Sequence, residues 1–221
     1  MGRPTDDRQQ LSEKVAAYIR EGIMAGEFRA GEFIRTEHLA RELGVSPTPV
    51  REALMLLGSE GSVRWEPRRG YRVVPLTPRD IGDLFAVQAF IAGELAARAA
   101  VVLPDEDLAR LDELQELVVA AEKAGDAKLV DRHNHEMHRV INKASQSHRM
   151  ASLLSLTVNY VPLRFFGTIE GWPAASAQDH LPVLAALRAR DPDAARTAMA
   201  EHIRHVGELL VTHLKSREIL G

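Results

Sequence analysis

The chain has 221 residues, of which 45% are hydrophobic, and this content is sufficient for two domains with separate cores. It contains no cysteine, which excludes disulfides, thiolate metal sites and thiol nucleophiles. The formal net charge is −3, which excludes a uniformly basic protein, and with no evident membrane span or signal peptide we expect a soluble cytoplasmic protein.

The first predicted element is a helix over residues 8–25, whose apolar residues recur every four positions. A short amphipathic helix follows over residues 36–43. Gly44 can end it in a left-handed turn, and Ser46 with Pro47 can start another helix almost at once. The apolar residues of this next helix share one face: Val50, Leu54 and Leu57.

Two helices joined by so tight a turn predict a helix-turn-helix, whose second helix can enter the major groove of DNA. The exposed start of that helix carries Ser46, Thr48 and Arg51, whose side chains can bond phosphates and base edges. An ordinary helical hairpin is the alternative interpretation of this segment alone.

A basic β-hairpin is predicted directly after this motif. Residues 62–66 and 71–74 contain Val, Trp and Tyr, which favour strands, and a short connection ending in Gly70 separates them. Four arginines crowd the hairpin: Arg64, Arg68, Arg69 and Arg72. A helix-turn-helix followed by such a hairpin forms a winged helix, and the place of these arginines beside the recognition helix favours DNA contact over a merely solvated surface.

The whole segment resembles the GntR-type winged-helix transcription regulators. The family pattern stands here as Leu39-Ala40, residues 43–54, Glu60-Gly61 and residues 70–73. The resemblance implies a homodimer that binds a palindromic operator in double-stranded DNA. The positions that it assigns to DNA binding are Ser46, Thr48, Arg51, Arg69 and Gly70. Arg35 lies closest to a further arginine of the family, whereas Pro47 stands where the family often has an arginine.

A domain boundary is predicted near residues 75–78, where two prolines flank a threonine suited to begin a helix. It divides the chain into a winged-helix domain at residues 1–76 and a second domain at residues 77–221. Six stretches of the second domain have helical periodicity: 80–101, 104–124, 126–145, 148–168, 174–190 and 191–216. We therefore expect a mostly α protein with a small β-hairpin wing and a C-terminal, all-α antiparallel bundle of about six helices.

Eight of the nine histidines lie in the second domain. Asp131 and His135 are four residues apart and therefore share one helix face. His180 and His202 lie on the last two predicted helices, which would pack back against the third. Three imidazoles and a carboxylate suit a divalent ion such as Zn²⁺, Ni²⁺, Mn²⁺ or Fe²⁺. Taken one at a time, each histidine is more typical of a surface or packed residue than of a metal ligand.

The second domain resembles FCD, an all-helical ligand-binding domain found in many GntR-type regulators. Its metal-binding members show a D-x-x-F-H run, then an acidic residue followed by histidine, then a histidine about 22 residues further on. This chain has residues 131–135, Asp179-His180 and His202. The resemblance implies a divalent metal, with Zn²⁺ as the first expectation, and the ligands that it implies are Asp131, His135, His180 and His202.

Some positions of this domain depart from the family pattern. Asn134 replaces the usual aromatic residue before His135. Ala89 and Gly93 stand where the family has an arginine and a glutamate in the first helix of the domain. Arg164 is then the remaining candidate to pair with an acidic effector.

These expectations describe a ligand-responsive transcription regulator, in which a small carboxylate completes the coordination shell of the metal and changes how the dimer binds its operator. One alternative is a metal-dependent hydrolase, because residues 133–138 read His-Asn-His-Glu-Met-His. The H-E-x-x-H zinc motif needs two residues between the glutamate and the second histidine, however, and only Met137 stands there. The other alternative is a regulator whose bundle has only a structural role.

Overall fold

The computed structural model describes residues 4–161 and 166–220 and contains, within those ranges, nine helices and a three-stranded sheet. The chain forms two compact units. The first comprises residues 4–77, Tyr160 with Val161, and residues 214–220. The second comprises Pro78–Asn159 and residues 166–213.

The first unit contains three helices and three short strands. Their bounds are α1 (Pro4–Ala25), β1 (Phe33–Ile34), α2 (Thr36–Glu42), α3 (Pro47–Ser59), β2 (Val63–Glu66) and β3 (Gly70–Val73). The strands are antiparallel in the order β1-β3-β2, so β3 pairs on both sides. Helices α1 and α2 and strand β2 all pack against α3, which therefore lies at the centre of this unit's core.

The turn between α2 and α3 follows from its local sequence. Gly44 has a φ of +66°, a conformation that glycine adopts without strain. Ser46 occupies the N-cap position of α3, but its side chain makes no capping hydrogen bond within the described part of the chain. Pro47 supplies the preset first-turn dihedral instead. The apolar face of α3 is fully buried, as predicted: Val50, Leu54 and Leu57.

The wing is also present, as the hairpin of β2 and β3. Its strand ends lie within one residue of the predicted ones, and Gly70, at φ +99°, pairs with Glu66 beside the tip. Strand β1 was not predicted, because two residues are too few to show an alternating pattern. The strand exists because its backbone pairs with β3, placing Phe33 opposite Arg72.

The second unit is all α, as predicted. Its helices are α4 (Pro78–Val102), α5 (Asp105–Lys123), α6 (Ala127–Ala144), α7 (His148–Val158), α8 (Trp172–Arg188) and α9 (Pro192–Ser216), of which the last residues group with the first unit. Helix α4 packs against α6, α7 and α8, and α5 packs against α6 and α8. The predicted helix over residues 148–168 is too long, since α7 ends at Val158 and Asn159 caps it.

Helix α4 is long and apolar enough, by length and composition, to cross a membrane, which the sequence analysis did not anticipate. More than half of its apolar window is buried inside the molecule. Its inner face is built largely of small residues that allow neighbouring helices to approach closely: Ala89, Ala92, Ala96, Ala99 and Ala100. Burial of this kind is typical of the core helix of a globular protein.

Close packing also explains one departure from the family pattern. A Cβ atom added to Gly93 in α4 would lie only 2.8 Å from the backbone carbonyl oxygen of Arg196 in α9. No side chain fits there without moving the α9 backbone. Ala89, one turn earlier, is fully buried. The positions at which the family has an arginine and a glutamate are therefore used here for helix packing.

We expect Gly93→Ala to destabilise the protein by about 1–3 kcal/mol, because the added methyl group forces two backbones apart. Gly82→Ala in the same helix is the matched control, since no atom of residues 4–161 or 166–220 lies within 4 Å of the added Cβ. That control should stabilise the protein by up to about 1 kcal/mol through helix propensity. Urea unfolding measures both changes, and equal stabilisation by the two substitutions would contradict the close approach at Gly93.

Candidate functional site

The first candidate site is an arginine-lined hollow between helix α3 and the wing. Of the residues predicted to contact DNA, four line it: Arg35, Arg51, Arg69 and Gly70. Ser46 and Thr48 lie exposed at the start of α3, outside the lining of the hollow. A concave surface that carries several guanidinium groups suits the phosphates and base edges of DNA.

The arginines of this hollow are held in place by local contacts. Arg51 donates from Nη2 to Oε1 of Glu37 at 2.9 Å, and this hydrogen bond lowers the pKa of the Glu37 carboxyl group. The guanidinium group of Arg69 lies over the ring of Phe33, 5.0 Å from its centroid. Both arginines remain exposed to solvent. Glu37 orients Arg51 without burying it, so the guanidinium group is free to exchange this partner for DNA.

Sequence reasoning missed two features of this surface. Glu37 was not considered, since a carboxylate does not suggest DNA binding until its pairing with Arg51 is seen. Trp65, in strand β2, also lines the hollow and exposes 58% of its surface, while its ring packs on Tyr71 with centroids 5.0 Å apart. The available sequence signal was a tryptophan within the predicted basic hairpin.

The second candidate site is a cluster of three histidines in the helical unit. His138 of α6, His180 of α8 and His202 of α9 bring their ring nitrogens within 4.8 Å of one another. The Nε2 atoms of His138 and His202 are 3.3 Å apart, and the ring centroids of His180 and His202 are 4.7 Å apart. His180 and His202 are buried, and His138 is partly buried. The ring nitrogens of the three histidines are therefore close enough together to bind a single metal ion.

The electrostatics of this cluster keep two of its imidazoles neutral. Burial, reinforced by the neighbouring His202 and His135, lowers the pKa of His138 to about 3. Burial, together with His202 and His138, also lowers the pKa of His180 well below its usual value. Neutral imidazole is the form that ligates metal ions, so His138 and His180 carry the correct protonation state at neutral pH.

His180 is the histidine that fits a metal ion most directly. Both of its ring nitrogens are buried and have no hydrogen-bond partner within the described part of the chain. A buried polar atom without a partner costs about 1–3 kcal/mol. A divalent ion held by the three rings would use one of these nitrogens, so the residues present fit such an ion.

Asp179 orients one ring of the cluster from outside. Its Oδ2 lies 3.4 Å from Nδ1 of His202 and 2.7 Å from Nδ1 of His205. Burial raises the pKa of Asp179, but the hydrogen bonds from the two histidines outweigh that effect and lower it. A proton on Nδ1 of His202 leaves its Nε2 lone pair directed at the cluster, as carboxylates commonly do for metal-binding histidines.

The predicted ligands are thus only partly brought together. His180 and His202 belong to the cluster, whereas Asp131 and His135 line the neighbouring cavity and do not join it. The buried stripe of α6 explains this: Val130, Met137 and Ile141 face the core. At about 100° per residue, His138 lies roughly 80° from Val130 around the helix and His135 roughly 140°. The helix therefore turns His138 inward and leaves His135 exposed.

A cavity of about 470 Å³ adjoins the cluster and includes His138 and His202 in its wall. Helices α4, α6, α7 and α9 all contribute to it. Asn134 and Asn142 of α6 also line it, and Arg139 and Lys143 add positive charge where they are exposed. This volume is within the usual range for a small-molecule site. Arg164, the predicted partner of an acidic effector, lies outside the described residues.

Comparison with known proteins gives a consistent result for both units. Residues 83–205 match the family described as FCD domain, and residues 11–73 match bacterial regulatory proteins of the gntR family. The transcriptional regulator McbR of Escherichia coli is 27% identical over 196 residues, which cover 86% of this chain and 88% of McbR. A probable D-xylose utilization operon transcriptional repressor of Paenarthrobacter nicotinovorans is 26% identical, covering 89% and 87% of the two chains. The solved structure of E. coli McbR/YncC superposes with a TM-score of 0.67 at 25% identity, covering 91% of this chain and 97% of that one.

Proposed function

The chain belongs to the gntR family of bacterial regulatory proteins and carries an FCD domain, and we propose that it is a transcription regulator whose helical unit holds a divalent metal ion and a small carboxylate. Its family and its relatives are transcription regulators, so the hydrolase alternative is set aside. In this proposal residues 1–76 bind DNA and residues 77–221 sense the effector and dimerise, in the cytoplasm.

The arginine-lined hollow supports the DNA-binding half of the proposal. Arg51 on the recognition helix and Arg35 and Arg69 on either side of it present cations to one surface. Ser46 and Thr48 extend that surface along the exposed start of α3. A homodimer would place two such surfaces on the half-sites of a palindromic operator, about one helical turn apart.

The observation that carries the sensing half is His180, whose buried ring nitrogens have no hydrogen-bond partner among the described residues and which lies beside two further imidazoles. We propose His138, His180 and His202 as metal ligands, with Asp179 positioning His202. Zn²⁺ suits three imidazoles best, and Ni²⁺, Mn²⁺ or Fe²⁺ would also bind. A divalent ion bound there would act as a Lewis acid that holds an oxygen of the effector.

A carboxylate is the proposed effector because two cationic side chains and one acidic side chain, Asp131, line the described wall of the cavity beside the cluster. Lys143 and Arg139 contribute cations to its wall. Arg139 already makes two hydrogen bonds to Glu136, at 2.8 and 2.6 Å, so Lys143 is the better placed of the two to pair with an acid. The role given to Arg164 stays a prediction. Allosteric release needs the acid to bind one arrangement of the helices more tightly than the other.

Arg51→Ala tests the DNA-binding half directly. An operator is first selected from random duplex DNA with the wild-type protein, and binding is then measured by fluorescence anisotropy at fixed salt. We expect a loss of about 1–3 kcal/mol in operator affinity if Arg51 reads a base. Arg110→Ala is the matched control, since Arg110 is also exposed and pairs with an exposed glutamate at 2.9 Å, in α5. Equal affinities for both variants would remove Arg51 from the contact set.

The sensing half is tested with the same operator and a panel of small carboxylic acids. The proposal expects one class of acid to change the anisotropy of the metal-loaded protein and to have no effect after chelation. If no acid acts, with or without metal, the helical unit is structural only.

A further inference from the structure

Two of the four arginines that line the hollow beside α3 are already paired with glutamates. Arg51 pairs with Glu37 at 2.9 Å, and Arg69 pairs with Glu66 at 3.7 Å. Residues 1–76 together contain 12 lysines and arginines against 11 aspartates and glutamates. Neutralisation of phosphates is the main source of sequence-independent DNA affinity, and a unit with so little net charge gains little of it. The affinity for DNA therefore has to draw on contacts other than ion pairs.

The same hollow also has an apolar part, which consists of Trp65 in β2, Tyr71 in β3 and Met55 in α3. Trp65 is 58% exposed and Met55 is 65% exposed. Large apolar side chains that are exposed together, with charged residues around them, are typical of an interaction site. The hollow thus offers a partner both positive charge and apolar area.

The wing hairpin fixes the direction of Trp65. Trp65 pairs with Tyr71 and Val63 pairs with Val73, so these four side chains lie on one face of the hairpin. The two valines are buried in the core that includes α3. Trp65 lies one pair nearer the wing tip, and its ring packs on that of Tyr71, with centroids 5.0 Å apart. The indole ring is therefore held on the side of the hairpin that faces α3.

The place of the hollow decides which part of DNA meets the indole ring. A recognition helix lies in the major groove, so the DNA strand that borders this groove on the side of the wing crosses the hollow between α3 and the wing. Guanidinium groups bind the phosphates of that strand. The deoxyribose rings between the phosphates present apolar C–H edges, which an indole ring can cover.

We infer that Trp65 packs against the deoxyribose of the DNA strand that crosses the hollow, and that this contact supplies a part of the affinity that depends on neither salt nor sequence. Sugar contacts position a protein on DNA without reading its sequence. An apolar contact releases no counterions, so it does not contribute to the salt dependence of binding. This inference rests on the proposed DNA-binding function.

Trp65→Ala is expected to weaken DNA binding about tenfold or more, because the apolar area covered by the sugar is lost. Fluorescence anisotropy measures the affinity for the selected operator and for a duplex of random sequence, at several salt concentrations. The loss should be equal for the two duplexes, and the slope of log affinity against log salt should stay as in the wild type. Trp65→Phe keeps an aromatic ring and should lose less than about threefold.

Leu56→Ala is the matched control, because Leu56 is also exposed and lies on α3 in the same unit, outside the lining of the hollow. It should leave both affinities unchanged. Acrylamide quenching follows Trp65 directly, since Trp172, the other tryptophan, is buried. Saturating operator DNA should reduce the quenching of the wild-type fluorescence, because the covered ring no longer meets the quencher. This measurement does not depend on any variant folding.

The inference is overturned by unchanged DNA affinity in Trp65→Ala, or by acrylamide quenching that saturating DNA does not reduce. A loss confined to the operator also overturns it, since Trp65 would then contact a base edge. A smaller salt slope in Trp65→Ala would assign the loss to displaced arginines, with the same consequence. If the wild type binds no duplex, the proposed function itself fails. If Arg51→Ala loses operator affinity while Trp65→Ala keeps it, the DNA-binding function stands and only the role of Trp65 is rejected.

Discussion

His138→Ala is expected to lower the divalent-metal affinity of the protein more than about a hundredfold, whereas His135→Ala leaves it nearly unchanged. His138 belongs to the cluster with His180 and His202, while His135 is exposed on the same helix. Loss of an outer-shell partner alone typically costs 10–100-fold, so loss of a direct ligand should cost more. Metal content by mass spectrometry and a Zn²⁺ competition titration give the two affinities.

The pair of variants is its own control, since both remove one imidazole from α6 and both positions line the same cavity. The sequence pattern D-x-x-x-H favoured residues 131–135 as the ligand pair, and the packing of α6 favours His138. Strong loss in His135→Ala with none in His138→Ala would restore the sequence-based ligand set. No loss in either would leave the protein without the proposed metal site.

Metal-free protein is expected to lose about 2 kcal/mol or more of the free energy of unfolding of its helical unit when the pH falls from 7 to 5. His138, with its pKa lowered to about 3, and His180, with its pKa well below normal, stay neutral in the folded state. In the unfolded chain both take up protons below about pH 6.5. The unfolded state therefore binds more protons in this window. His138 contributes about 2 kcal/mol of destabilisation, and His180 adds to it in the same direction.

The direction in which the free energy of unfolding changes with pH, and the pH range of that change, distinguish these histidines from the nearby carboxylates. Stability from the lowered histidine pKa values is complete above about pH 6.5 and falls as the pH drops toward the folded values. The lowered pKa of Asp179 acts in the same direction, but only below about pH 4. The raised pKa of Asp131, caused by burial, acts in the opposite direction just above that pH. Between pH 7 and pH 5.5 the histidines dominate.

Urea unfolding at a series of pH values, in the presence of a chelator, measures how the free energy of unfolding depends on pH. Trp172 is buried in the helical unit, and in a Trp65→Phe background it is the only tryptophan, so its fluorescence follows that unit. Replacing His138 and His180 together with glutamine should flatten the dependence on pH. His38→Gln, at an exposed position of the first unit, should leave it unchanged. A flat profile in the parent protein would contradict the buried, neutral state of the two histidines.

The fold of the DNA-binding unit could be predicted from the sequence because the sequence features that determine it are local. Gly44 and Pro47 define the turn, the buried stripe of α3 defines its inner face, and Gly70 lies beside the tip of the wing. Each of these features depends on neighbouring residues and on dihedral preferences that any context preserves. Strand β1 escaped prediction because its two residues exist as a strand only through pairing with β3.

The sequence predicted only two residues of the histidine cluster, His180 and His202. The third could not be predicted because the packing of α6 determines which of its side chains face the other two helices. The sequence by itself determined a helix-turn-helix, a wing, an all-α second domain and a surplus of histidines on three of its helices. The tertiary structure alone decided that α6 presents His138 rather than His135 to His180 and His202, and that Gly93 lets the backbone of α9 approach α4 closely. The physical reason is distance along the chain: the convergence of α6, α8 and α9 joins residues up to 64 positions apart, and burial of the apolar stripe on α6 fixes which of its faces the other two helices meet.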